Sequence, residues 1–250
     1  MKINKDKSVG QVLFIVEGGK TEFSLLRNIF CNILGYAYIE KRRGKESYFQ
    51  SRNISTSRIA VINPEESNIS DIQDENQYLE KVISELLFNY NFPVDKAAIY
   101  YLFDRDLKSN LDITLINKLI SDLGNPYENG QNRGGLLLFS YPSIEGYTIN
   151  SFINDSYKIG FELGTDAKRY IGSNKSIQLN KLSYETIQNA ALELLKYLDN
   201  ERIELNIENF RDTNIEIFQK QEGCYSGNKF YRLISLLSIA FLQLQIIEIE

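Results

Sequence analysis

The chain has 250 residues, a formal charge of −5 and no histidine, which allows one large domain or two small ones. Without histidine there is no Ser-His-Asp or Cys-His catalysis and no histidine-held zinc, so chemistry must run on carboxylates, Lys, Tyr, Ser or a hard cation held by oxygen. The acidic balance also argues against nucleic-acid binding by the whole surface, so any such contact needs a local basic patch.

The polar start, Met1 to Lys7, is no signal peptide, and no apolar run is long enough to span a bilayer, which predicts a cytoplasmic protein without a membrane partner. Val12 to Val16 is an uninterrupted apolar run closed by Glu17, Gly18 and Gly19, the pattern of a strand buried on both faces. A helix is expected next, N-capped by Thr21, with Leu25, Leu26, Ile29, Phe30, Ile33 and Leu34 on one face and Gly35 at its end. A short strand from Tyr36 precedes the basic run Lys41, Arg42, Arg43, Gly44 and Lys45. With Arg52 and Arg58, that run is the candidate nucleic-acid surface, and Tyr48 and Phe49 are candidates to stack on bases; a solvated charged loop is the alternative.

Another strand is expected over 58–64, then an acidic loop and an amphipathic helix carrying Leu79, Val82, Ile83, Leu86, Leu87 and Tyr90. Ala97 to Phe103 is a second buried run, ending in Asp104-Arg105-Asp106. A helix capped by Asp112 and a strand over 134–140 follow. The alternation implies an α/β fold with a parallel sheet flanked by helices over 1–150 and a helical C-terminal region over 151–250. Helices are expected over 147–153, 183–198 and 228–247, with a weak strand signal at 203–207. The apolar C-terminal segment (Leu233, Leu236, Leu237, Ile239, Ala240, Phe241, Leu244) reads as core, with a homo-oligomer or partner contact as the alternative. Cys31 and Cys224 have no metal-ligand spacing and are expected to be buried thiols.

Ligands of open α/β sheets bind at the carboxyl ends of strands. That edge is where Glu17, Asp104 and Asp106 are expected to meet and hold a divalent cation. Gly18-Gly19-Lys20-Thr21 is not a phosphate loop, because the position of the first required glycine is Phe14. Mg²⁺ suits an all-oxygen site, with Mn²⁺ as a substitute. Two ions held by Glu17, Glu22, Asp104, Asp106 and Glu145 could serve phosphodiester hydrolysis, with Lys20 on the scissile phosphate. A surface lysine at position 20, a helix-start acid at 22 and a structural acid at 145 are the alternatives.

Glu17-Gly-Gly-Lys-Thr-Glu22, Phe103-Asp-Arg-Asp106 and Ser140-Tyr-Pro-Ser-Ile-Glu145 together resemble the TOPRIM fold, in the branch of RloB-like and OLD-type nucleases. The resemblance covers residues 11–150. It implies metal ligation by Glu17, Asp104 and Asp106, with Glu22 and Glu145 matching further motif acids, and a nuclease acting on DNA or RNA. It also implies a role in antiviral defence or abortive infection beside an ATPase partner, which this chain would meet in trans since it has no ATPase motif. Tyr141 and Tyr147 stand where that branch often has Asn and Trp. A regulatory or scaffolding module that binds metal or nucleotide without cutting is the alternative. A topoisomerase- or primase-like catalyst is a third reading: strand passage needs a nucleophilic tyrosine on another domain, which none of the sixteen tyrosines is singled out to supply, and a zinc-dependent primase is disfavoured by the missing ligands.

Overall fold

The computed structural model describes residues 1–4, 6–40, 48–63, 80, 81, 84, 88, 96–107, 112–127 and 134–249. The basic run from Lys41 to Lys45, the acidic loop and most of the helix expected around Leu79 to Tyr90 lie outside them.

In chain order the elements begin with β1 (Lys2–Ile3), β2 (Gln11–Val16), α1 (Thr21–Arg27), a π-helical turn (Asn28–Ile33), β3 (Tyr36–Ile39), β4 (Tyr48–Ser51), β5 (Arg58–Ile62) and β6 (Ala97–Asp104). Then come α2 (Ile113–Asp122), β7 (Gly124–Asn125), β8 (Gly135–Tyr141), α3 (Glu145–Phe152), β9 (Gly160–Phe161) and α4 (Gly164–Ser173). The chain closes with α5 (Tyr184–Glu201), α6 (Phe210–Asn228), β10 (Tyr231–Arg232), β11 (Ile234–Ser235), α7 (Leu237–Gln243) and β12 (Ile247–Glu248). The fold is α/β, with a central sheet in the order β11-β8-β6-β2-β5-β4-β3. That sheet is mixed and not wholly parallel as expected: β2 pairs parallel with β5 and β6, whereas β3-β4, β4-β5 and β11-β8 are antiparallel. The sequence reading missed β4, whose pairing reverses the direction at that edge.

Contacts group the chain into two units. The first comprises Asp6–Leu102 and Ser109–Leu137; the second comprises Met1–Lys5, Phe103–Lys108 and Leu138–Glu250. In the first, Val12 to Val16 are at most 1% exposed, as a strand flanked on both sides requires. Helix α1 starts at Thr21 with Lys20 at the cap and no side-chain capping bond, so Thr21 is the first helical residue and not the N-cap. Leu25, Leu26, Ile29, Phe30 and Ile33 are buried as their spacing predicts, and Gly35 ends the segment at φ +73°. Phe30 meets Phe14, Tyr36 and Phe49 at centroid distances of 6.1, 5.6 and 6.1 Å. Phe49 is thus a core ring, 1% exposed, and cannot stack on a base; alternation along β4 turns it inward beside half-buried Tyr48. Arg58 lies over the Tyr48 ring at 5.5 Å. Asp112 caps α2 as expected, its carboxylate accepting from the Leu115 amide at 3.0 Å.

In the second unit, Ser183 caps α5 reciprocally with Thr186. Helices α4 and α6 were not anticipated. The buried face of α6 carries Phe210, Thr213, Asn214, Ile217, Phe218 and Gln221, which is helical spacing half filled by polar side chains. Thr213 Oγ1 donates to the Glu204 carbonyl and Gln221 bonds both the Arg232 amide and carbonyl, so polar groups satisfy backbone there and erase the apolar stripe. The segment 203–207 is not a strand, and 228–247 is not one helix but two short strands followed by α7. All seven apolar residues named for that segment are buried, as core residues are. Cys31 and Cys224 are free and half-buried, less enclosed than expected.

Candidate functional site

The first unit holds Glu17, Lys20 and Glu22 at the turn after β2. Strand pairing continues one residue past Val16, with the Glu17 amide donating to the Leu102 carbonyl at 3.3 Å. Asn63, just past β5, donates its side-chain amide to the carbonyls of Val16 and Glu17 at 2.8 and 2.6 Å and pins the turn from the other side. Sequence reading passed over Asn63; an amide directly after a buried strand and before Pro64 is the signal that could have found it. Glu22 folds back over the turn and is 6% exposed. A Cβ at Gly18 would lie 2.7 Å from both Glu22 carboxylate oxygens, so the glycine makes room for this acid. Gly19 has no comparable constraint, its nearest such neighbour being Asn63 at 3.8 Å. Lys20 and Thr21 are exposed.

This arrangement separates the two readings of Glu22. A Gly18→Ala substitution should fold, because the atoms it displaces are the end of a flexible side chain, but it should swing the Glu22 carboxylate away. Thermal melting within about 1 kcal/mol of the parent chain, together with weakened divalent-cation binding, is the expected result for a ligand. Unchanged binding would leave Glu22 as a helix-start acid.

The second unit holds Asp104, Asp106 and Glu145. Asp104 ends β6, and its Oδ1 accepts from the Ile144 amide at 2.8 Å. Glu145, the first residue of α3, is buried; its Oε2 accepts from Ser143 Oγ at 2.7 Å and its Oε1 lies 3.7 Å from Lys168 Nζ. Helix α4 begins against this cluster. A Cβ on Gly164 would lie 2.9 Å from Ser143 Cβ, 3.0 Å from Ser143 Oγ and 3.4 Å from Asp106 Oδ2. Ser143, Asp106, Glu145, Gly164 and Lys168 therefore surround one locality at the carboxyl end of β6. Lys168 and Gly164 were missed because the helix that carries them is short and its apolar face is slight, made by Ala167, Tyr170 and Ile171. Gly164→Ala must push on the short, rigid Ser143 side chain and is expected to cost about 1–3 kcal/mol by overpacking, which calorimetric melting checks.

Between the two aspartates stands Arg105, fully buried. Its amide donates to the Ser140 carbonyl at 2.9 Å, and its Nε donates to Glu222 Oε1 on α6 at 2.8 Å. The guanidinium lies over the rings of Phe218 and Tyr231, at 5.7 and 5.6 Å, and the Tyr231 hydroxyl donates to the same Glu222 oxygen at 3.1 Å. A buried cation needs such a partner, since desolvation would otherwise dominate.

The acids expected to converge are thus Asp104, Asp106 and Glu145 in one unit and Glu17 and Glu22 in the other. Among the described residues, no group of three or more His, Cys, Asp and Glu side chains is arranged to hold a metal ion. The donors are nonetheless of the right kind for Mg²⁺, which is commonly bound through one or two carboxylates and completes its shell with water and substrate phosphate. The basic run at 41–45 lies outside the described residues, and none of the described helices is long and apolar enough to cross a membrane. No protein-family model, no curated protein and no solved structure matches the chain.

Proposed function

We propose that this chain is a TOPRIM-like, Mg²⁺-dependent nuclease that hydrolyses phosphodiester bonds in DNA or RNA. The observation that carries the reading is the Asp104–Asp106 pair at the carboxyl end of a buried strand, with Asp104 oriented by the Ile144 amide and buried Glu145 close by. The ligands in the second unit would be Asp104 and Asp106 with Glu145, and Glu17 and Glu22 are the candidates in the first; Mn²⁺ would serve in place of Mg²⁺. Bound to such oxygens, the cation would supply charge stabilisation to the attacking and leaving oxygens of the phosphoryl group. The protein's own part is to orient the carboxylates, and to place Lys20 or Lys168 on substrate phosphate. Both oxygens of Glu145 already have protein partners, so a steadying role for it accords with the geometry as well as ligation does.

The resemblance stated above adds a role in antiviral defence or abortive infection, with an ATPase partner acting in trans. The test is incubation of the purified chain with plasmid, single-stranded DNA and tRNA, with Mg²⁺ or Mn²⁺ and then with a chelator. Cleavage that the chelator stops is the expected result. The acidic net charge of −5 supports a second reading, a metal- or nucleotide-binding module that does not cut. That reading prevails if no metal-dependent product forms even with the partner present.

A further inference from the structure

We infer that Glu222, on α6 and outside the segment that resembles a nuclease fold, is a positioning residue for the Asp104–Asp106 tip; this rests on reading the tip as a cation site. Alternation along an extended chain directs Arg105 to the side opposite its two neighbours. The peptide at Arg105 is anchored by its amide on Ser140, and its side chain by Glu222 at 2.8 Å. The aromatic walls of Phe218 and Tyr231 leave the buried guanidinium little choice of position. Tyr225 stacks on Tyr231 at 4.9 Å and Tyr141 lies 5.8 Å from it, so the wall is itself packed. A turn of the backbone between the two aspartates, which would redirect both carboxylates, would have to break the Ser140 and Glu222 anchors of Arg105 together. Residues that hold ligands in this way typically change metal affinity by about 10–100-fold when altered.

The experiment uses the full chain and Mn²⁺ as probe, with binding read by electron paramagnetic resonance and folding by thermal melting. Glu222→Gln keeps the shape and removes the charge. It is expected to remain folded, bind Mn²⁺ about 10–100-fold more weakly, and regain cleavage when Mn²⁺ is raised in proportion, a rescue that simple destabilisation would not give. Tyr231→Phe, which deletes one hydrogen bond and no charge, should weaken binding severalfold and decides the matter if Glu222→Gln does not fold. Asp104→Asn separates the two levels of the claim. If it loses Mn²⁺ while the folded Glu222 or Tyr231 variant binds like the parent chain, the positioning role is overturned and the cation site stands. If the parent chain binds no Mn²⁺, or Asp104→Asn binds as well as the parent, the site itself is refuted and the positioning role with it.

Discussion

Asp104→Asn is expected to lower metal-dependent cleavage of nucleic acid by more than about 100-fold, beyond the range typical of residues that only support a ligand. The substitution is chosen for what it preserves. An asparagine oxygen can still accept from the Ile144 amide as Asp104 Oδ1 does at 2.8 Å, so the turn into α3 should survive. The melting temperature should therefore stay within the equivalent of about 1 kcal/mol of the parent chain. Loss of activity with retained stability is a signature that misfolding cannot mimic. Asp106→Asn and Glu17→Gln should behave alike, and Lys20→Ala should act chiefly on substrate affinity. If the Asp104 and Glu17 variants cut as fast as the parent chain at the same Mg²⁺ concentration, the nuclease assignment falls.

A second large effect concerns alkaline pH and does not depend on function. Tyr100, Tyr101, Tyr141, Tyr147, Tyr197 and Tyr231 are each at most 1% exposed, and burial raises every one of their hydroxyl pKa values. For Tyr231 the Arg105 guanidinium opposes the rise and Glu222 adds to it, without changing the sign. An unfolded tyrosine titrates near pH ~10, so above that point the unfolded chain gives up protons that the native chain retains. Stability from these groups is therefore complete below pH ~10 and lost as pH rises, at about 1.4 kcal/mol per pH unit for each tyrosine. Six such groups together lose about 8 kcal/mol per unit, comparable with the whole stability of an ordinary domain. The expected result is cooperative unfolding within about one to two pH units above 10, with tyrosinate absorbance of these residues appearing only in step with the loss of circular dichroism. Gradual ionisation of all sixteen tyrosines in a still-folded chain would contradict it.

Much of the first unit was legible in the primary structure because its signals are local. Val12 to Val16 and Ala97 to Phe103 are apolar without interruption since both faces of those strands are covered. Asp112 and Ser183 announced their helices through side chains that reach only three residues ahead. Gly35 marked a left-handed residue that other side chains rarely adopt. The candidate acids were visible for the same reason, as charge placed abruptly after an apolar run.

What escaped depends on partners remote in the chain. Strand β4 is defined by its antiparallel neighbours, and nothing in Tyr-Phe-Gln-Ser says which strands will take its hydrogen bonds. Helix α6 hides its buried face behind Thr213, Asn214 and Gln221, and Thr213 and Gln221 are satisfied there by particular backbone groups remote in the chain. Nothing local in Asp104-Arg105-Asp106 marks the arginine as buried, and Glu222, over a hundred positions later, pairs with it in the core. Composition and local pattern determined that this is an α/β protein without histidine chemistry, because periodicity and residue type act over a few residues. Tertiary structure alone decided the mixed sheet, the Asn63 latch, the Ser143–Glu145–Lys168 group and the Arg105–Glu222 pair, because burial of a polar group is decided by whichever distant segment satisfies it.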